Sequence, residues 1–331
     1  MGLFRDTVIQ LSENKTLNDL TKQMGLKFGA RKFVGGVDTE EAIETFKSIN
    51  ADGMSVTFDN LGEFITDTMD ATYEKDLILE MIKAIDEHKV NAHCSVKLTQ
   101  IGLDIDYEFC KTNFREILEA AKQVGIFVNI DMESYRVYDA TMRMLDEMLE
   151  EFDNVGTVLQ SYLFDSEEDV IKHKDERVRI VKGAYKEDPS VALQERESID
   201  IAFEELIKKH LTEGTGFTSI ATHDHNIIYN IMDFVERENI DKDTFEFQML
   251  YGFRYDLAKQ IVKKGYSMCI YVPYGNDWYA YFMRRIAERP QNVNLLVKDL
   301  MDNPAVKAGT ITAGGLVVLG IISSIVKMFR K

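Results

Sequence analysis

The chain has 331 residues and a formal net charge of −17, from 56 acidic against 39 basic side chains. That excess disfavours a broad nucleic-acid surface, because phosphate binding needs a positive field. With 45% hydrophobic residues and only three cysteines, Cys94, Cys110 and Cys269, widely spaced and with no CxxC, neither extensive disorder nor a disulfide or zinc framework is expected. The opening MGLFRDTVIQ has no apolar signal core, and Asp6 stands where a myristoylation site wants Ser or Thr. Residues 1–50 read as helical pieces, an N-terminal arm.

From there, β-branched or aromatic runs alternate with longer amphipathic ones. The strand candidates are 54–58, 91–98, 125–132, 156–163, 177–183, 217–222, 245–250 and 267–273. Between them lie helical stretches such as YEKDLILEMIKAIDEHK, NFREILEAAKQV and RYDLAKQIVKKG. Eight strands interleaved with helices predict an α/β fold, a parallel sheet closed as a (βα)8 barrel over 51–290. The alternative, an open doubly wound sheet, lacks a GxGxxG after the first strand.

In such a barrel the carboxyl ends of the strands carry the site and the strand interiors are apolar. Polar groups recur at those ends: Asp59 and Glu63; Lys97; Asp131 and Glu133; Gln160 and Tyr162; Arg179 and Lys182; Thr222 with His223, Asp224 and His225; Glu246 and Gln248; Tyr271. A lysine flanked by apolar positions in CSVKLTQ is costly to bury unpaired, so Asp131 or an anionic ligand is its expected partner. The HDH run invites a zinc reading, but further histidine ligands are not in place, and His223 reads instead as a hydrogen-bonding residue. No Ser or Cys nucleophile has an elbow. In YVPYGNDWYAYFMRRIAE, Tyr281, Arg284, Arg285 and Glu288 share one helical face, either a solvated stripe or something aimed inward.

Together SVKL, DME, LQSYL, RIVKGAY, ATHD, FEFQMLYG and YVPYGNDWYAYFMRRIAE resemble the proline dehydrogenase family, from about Phe58 to Glu288. The last motif is the most specific. The resemblance implies a distorted (βα)8 TIM-type barrel that binds FAD and oxidises L-proline to Δ1-pyrroline-5-carboxylate, with a hydride passing to flavin N5 and electrons going on to a membrane quinone. By it, Arg284, Arg285 and Lys97 hold the substrate carboxylate, a planar guanidinium fork suiting that group. Tyr271, Tyr281, Leu250 and Ala184 wrap the pyrrolidine ring, Glu288 orients an arginine, and Asp131 balances the cations, with no base assigned. The cofactor side is Gln160, Arg179, Val181, Lys182, Gly183, Thr222 and His223, with Arg179 the candidate cation beside the flavin. No metal is implied.

Two departures stand out. Lys186 follows KGAY where bifunctional relatives tend to carry an aromatic, and little chain follows the barrel, so a monofunctional enzyme is expected, handing its product to a partner enzyme. The extension 291–331 contains an uncharged stretch, 308–326, whose helix would be roughly 28 Å long against a hydrocarbon thickness of about 30 Å. The closing KMFRK conflicts with the positive-inside tendency if the stretch spans, and suits anionic headgroups if it lies in the interface. Membrane contact through 308–331 is therefore expected, placing a cytoplasmic protein at the inner face of the cell membrane. The competing reading is a tail helix packed on protein.

Overall fold

Alternation of buried strands with capped amphipathic helices produces the fold. In a computed structural model of the chain, residues 30–62 and 65–288 are described, the side chains of residue 30 and of 284–288 excepted. Most of the expected arm and all of the extension 291–331 lie outside the described residues. The strands are β1 Ser55–Asn60, β2 Ala92–Val96, β3 Val128–Ile130, β4 Val155–Gln160, β5 Val178–Val181, β6 Thr218–Ala221, β7 Phe245–Leu250 and β8 Met268–Tyr274. They run in sequence order as a closed barrel, and the successive pairs from β1 to β8 are parallel. All eight expected strands are present, most shorter by a few residues.

The described helices are α1 Thr39–Ala51, α2 Thr68–His88, α3 Tyr107–Gln123, α4 Tyr138–Leu149, α5 Ser166–Lys172, α6 Arg196–Glu213, α7 His225–Arg237, α8 Tyr255–Lys263 and α9 Trp278–Glu288. Aspartates start several of them. Asp67 accepts from the Met69 and Asp70 amides, Asp106 from Phe109 and Asp224 from Asn226, each satisfying orphan donors of a first turn.

One compact unit, Ile43–Asn60 with Ile65–Val272, contains β1 to β7 and most of β8. Every second strand residue faces the helices, and most of these are apolar: Phe58, Val96, Ile130, Ile180, Ile220 and Phe247 are fully buried. Each large side chain so buried contributes about 2–3 kcal/mol. The other face, lining the interior, corrects the expectation of apolar strand interiors. Thr57, Ser95, Arg179, Ser219 and Glu246 occupy it, and polar groups stand there because they satisfy one another.

A second unit gathers residues 30–42, 61–62 and 273–288. Gly35 donates to Pro273 O at 2.8 Å, Leu61 to Tyr274 O at 2.7 Å and Gly275 to Gly36 O at 2.9 Å, so the end of β8 and the residue after it are tied to the chain before α1 and just after β1. The rings of Phe33 and Phe282 meet at 6.2 Å, and Trp278 meets Phe282 edge-on at 5.7 Å. From Trp278 to Met283 every residue of α9 is buried, so this first part of the helix is enclosed on all sides.

Candidate active site

The site starts from strand chemistry. Polar residues two apart on β1, β2, β3 and β5 put their side chains on the same face, toward the barrel interior, near the carboxyl ends. Lys97, just past β2, donates to Asp59 Oδ1 at 2.6 Å, to the Tyr271 hydroxyl at 3.3 Å and to Asp131 Oδ2 at 3.4 Å. Tyr271 donates in turn to Asp131 Oδ2 at 2.7 Å. Arg179 gives Nη1 to Asp131 Oδ1 at 2.8 Å and Nη2 to Thr57 Oγ1 at 3.0 Å and Ser95 Oγ at 2.9 Å. Its guanidinium carbon lies 5.4 Å from the Tyr271 ring centroid.

Asp131 is therefore the hub, with one oxygen on the arginine and the other on the tyrosine and lysine. The sequence expectation pairs Lys97 with Asp131 or an anion; its nearer partner in the structure is Asp59, at the end of β1. Burial works against charge on Lys97, yet Asp59 and Asp131 hold its ammonium well above the usual range. Burial, reinforced by Asp131, pushes the Asp59 carboxyl up despite Lys97. Burial and then the two aspartates push the Tyr271 phenol far up. Two cations facing two carboxylates offset a desolvation cost that no single one could bear.

A second layer lies beneath. Glu246 Oε1 accepts from Arg177 at 2.8 Å, Ser219 at 2.9 Å and Gln248 at 2.7 Å. Arg177 also reaches His93 Nε2 at 2.9 Å and sits between the Phe127 and Phe217 rings, at 4.7 and 4.4 Å. Among the described residues His93, Glu246 and Cys269 form the one group with metal-ligand spacing, and the Arg177 guanidinium already engages two of the three, Glu246 and His93.

Loops hold the rim. Glu133 accepts from the Thr99 amide at 3.2 Å and hydroxyl at 2.7 Å, and its carbonyl accepts from Gln160 Nε2 at 2.8 Å. The segment after β5 is pinned to the one after β4: Phe164 donates to Val191 O at 3.1 Å and Leu193 to Tyr162 O at 2.7 Å. Gly183 has φ +112°, and a Cβ there would stand 2.3 Å from the Tyr162 ring, so only glycine fits. Lys182 is ion-paired with Asp200 on α6, half-buried Val181 pairs with Gln160 across β4 and β5, and Ala184 is exposed. Thr222 is buried and donates its amide to Gln248 O at 3.1 Å. His223 Nε2 accepts from the Leu250 amide at 3.3 Å, and Leu250 pairs with Tyr271 across β7 and β8. Tyr281 is buried in α9. Arg284, Arg285 and Glu288 belong to α9, with their side chains outside the described residues.

Thr57, Ser95 and Arg177 were missed by the sequence reading. Their signal was alternation, as in SVTFDN and RVRIV, where polar residues recur every second position in strands whose other face is apolar. Several buried atoms on this inner face have no hydrogen-bond partner among the described residues, Arg179 Nε and Gln248 Oε1 among them, with Arg177 Nε and both amide atoms of Asn129. The Arg179 donor and the Gln248 acceptor suit a planar ligand whose edge carries both.

An eight-stranded parallel barrel with a charged constellation at the carboxyl ends of its strands has the layout of a barrel enzyme. A sequence model described as proline dehydrogenase matches residues 42–297. Proline dehydrogenase 1 of Bacillus subtilis is 42% identical over 301 residues, covering 90% of this chain and 99% of that protein. Proline dehydrogenase of Deinococcus radiodurans is 38% identical over 306 residues, covering 90% and 98%. The crystal structure of proline utilization A from Bdellovibrio bacteriovorus inactivated by N-propargylglycine superposes with a TM-score of 0.74 at 26% identity, covering 92% of this chain and 38% of that one. The chain thus spans little more than a third of that solved protein but nearly the full length of the curated relatives. It belongs to the proline dehydrogenase family.

Proposed function

We propose that the protein oxidises L-proline to Δ1-pyrroline-5-carboxylate with FAD as cofactor and passes the electrons to a membrane quinone. What carries this reading is the Asp131 hub, with Arg179, Tyr271 and Lys97 fixed around one carboxylate, in a chain of this family. Lys97, with Arg284 and Arg285, binds the substrate carboxylate; three cations against one anion fix the ring's orientation. Glu288 aims an arginine, and Tyr271, Tyr281, Leu250 and Ala184 wall the ring and keep water from it.

Gln160, Arg179, Val181, Lys182, Gly183, Thr222 and His223 hold the cofactor, and the unpaired Arg179 Nε and Gln248 Oε1 fit a flavin, whose pyrimidine edge offers acceptors and a donor. When bound, FAD supplies the two-electron acceptor, at N5, for the hydride leaving ring C5. Arg179 places positive charge where the reduced cofactor gains negative charge. The substrate amine must be unprotonated to lose that hydride. Lys97 and Tyr271 both keep their protons and the Asp131 oxygens are engaged, so the amine enters as the free base and turnover rises with pH through the alkaline range.

The purified protein is expected to be yellow and to bleach on anaerobic addition of L-proline. Arg285→Met is expected to keep its flavin and need at least a hundredfold more proline. Colourless protein that takes up no FAD overturns the cofactor, and yellow protein indifferent to proline overturns the substrate. Removing residues 305–331 should abolish sedimentation with anionic vesicles, and a truncated protein that still pellets fully sinks the membrane contact.

A further inference from the structure

The Gln248 side chain carries an acceptor inside the barrel that is unpartnered among the described residues. It is 2% exposed, and its amide orientation is fixed. Arg177, Ser219 and Gln248 converge on a single oxygen of Glu246, a carboxylate held ionised despite burial by the His93 imidazole, Arg177 and the Gln248 amide. A flipped amide would set its oxygen against that carboxylate at 2.7 Å, so the NH2 must face Glu246 and Oε1 must point elsewhere. Yet Oε1 has no donor among the described residues. Its register neighbours are Ala221 on β6 and Cys269 on β7's other side, β8; an alanine offers none, and the thiol is at most a weak one. The Tyr271 hydroxyl, in the next layer toward the mouth, is committed to Asp131. A buried carbonyl left unpaired carries an uncompensated desolvation cost, so a ligand that donates there gains by it.

We propose that Gln248 Oε1 accepts a hydrogen bond from the N3–H of the flavin, with Glu246 as the positioning residue that keeps the amide turned toward it. The inference rests on the flavin reading above. The oxidised isoalloxazine has a single ring N–H, between two carbonyls, so an acceptor locked in place selects that edge. Gln248 then adds to the cofactor residues named from the sequence, and it sits on a strand to which none of them belongs.

The test is a titration of FAD and of 3-methyl-FAD, which lacks the N–H, into full-length protein stripped of flavin, read by fluorescence quenching. Wild type is expected to bind FAD about tenfold more tightly than the methyl analogue. Gln248→Leu, and Gln248→Met as a second variant of similar bulk, should bind FAD about tenfold more weakly and no longer discriminate. If the leucine and methionine variants discriminate as wild type does, the preference comes from methyl bulk and the hydrogen bond is refuted. If they hold FAD as tightly as wild type, an ordered water satisfies Oε1 and the inference is equally overturned. Wild-type apoprotein that takes up no FAD fails the flavin reading itself, a result distinct from either.

Discussion

Arg179 crosses the barrel interior to place Nη1 2.8 Å from Asp131 Oδ1 while only 4% of its side chain is exposed. A guanidinium that cannot lose its proton has no means of escaping an unpaired burial. Asp131→Asn should therefore cost about 3–5 kcal/mol, read as a lower denaturation midpoint in urea. Adding Arg179→Gln to that variant should recover part of the loss, because the orphaned charge goes with it. Additive losses in the double variant would show that the pair is not coupled.

Tyr271 stands between the same carboxylate and Lys97, accepting from the lysine at 3.3 Å and donating to Asp131 at 2.7 Å. Tyr271→Phe keeps the ring over Arg179 and removes only the hydroxyl. A fall of about tenfold or more in the rate of flavin bleaching by proline is expected, with flavin content and thermal midpoint nearly unchanged. A rate equal to wild type would mean that the hydroxyl holds no ring position that matters.

The barrel itself was legible because eight strand-sized runs alternate with helical ones, and Phe245–Leu250 was placed to the residue. Lys97, Asp131, Arg179 and Tyr271, named from motifs at strand ends, converge within hydrogen-bond reach. Less legible was what lies under them. Thr57, Ser95 and Arg177 look unremarkable one at a time, since a strand residue's facing depends on register, and register is set by the whole closed sheet. The nearer partner of Lys97 escaped for a related reason: Asp59 is 38 residues away in sequence, and only the β1–β2 pairing brings the two together. Which loops pin one another, as Glu133 does with Thr99, leaves no local pattern.

Gly183 offers a test of the segment after β5. Its φ of +112° and the Tyr162 ring 2.3 Å from where a Cβ would sit mean that Gly183→Ala pays twice, in backbone strain and in displacement of a buried ring. A loss of about 2–4 kcal/mol is expected, visible as a lowered urea midpoint. Protein with Gly183→Ala combined with Tyr162→Ala should still be less stable than Tyr162→Ala alone, because the backbone strain remains. Equal midpoints would place the whole cost in the ring contact.

Glu246 predicts an acid limb of stability. Burial works against its charge, but the His93 imidazole, Arg177 and the Gln248 amide outweigh it and bring the carboxyl from near 4.5 down to about 2. The group is 4% exposed, so screening by solvent is weak. With the folded value below the unfolded one, the unfolded chain binds more protons between the two, and stability rises with pH across that window. The contribution is fully present above about pH 4.5 and is lost as pH falls toward 2, an amount on the order of 3 kcal/mol. In Glu246→Gln this limb is absent: the variant should be less stable than wild type at neutral pH, and the gap should narrow steadily as pH drops from 4.5. Urea midpoints at intervals from pH 7 to the lowest pH at which wild type stays folded would show it. A gap that stays constant over that range would mean that the carboxylate's ionisation does not stabilise the barrel, and that Arg177 is held by the Phe127 and Phe217 rings instead.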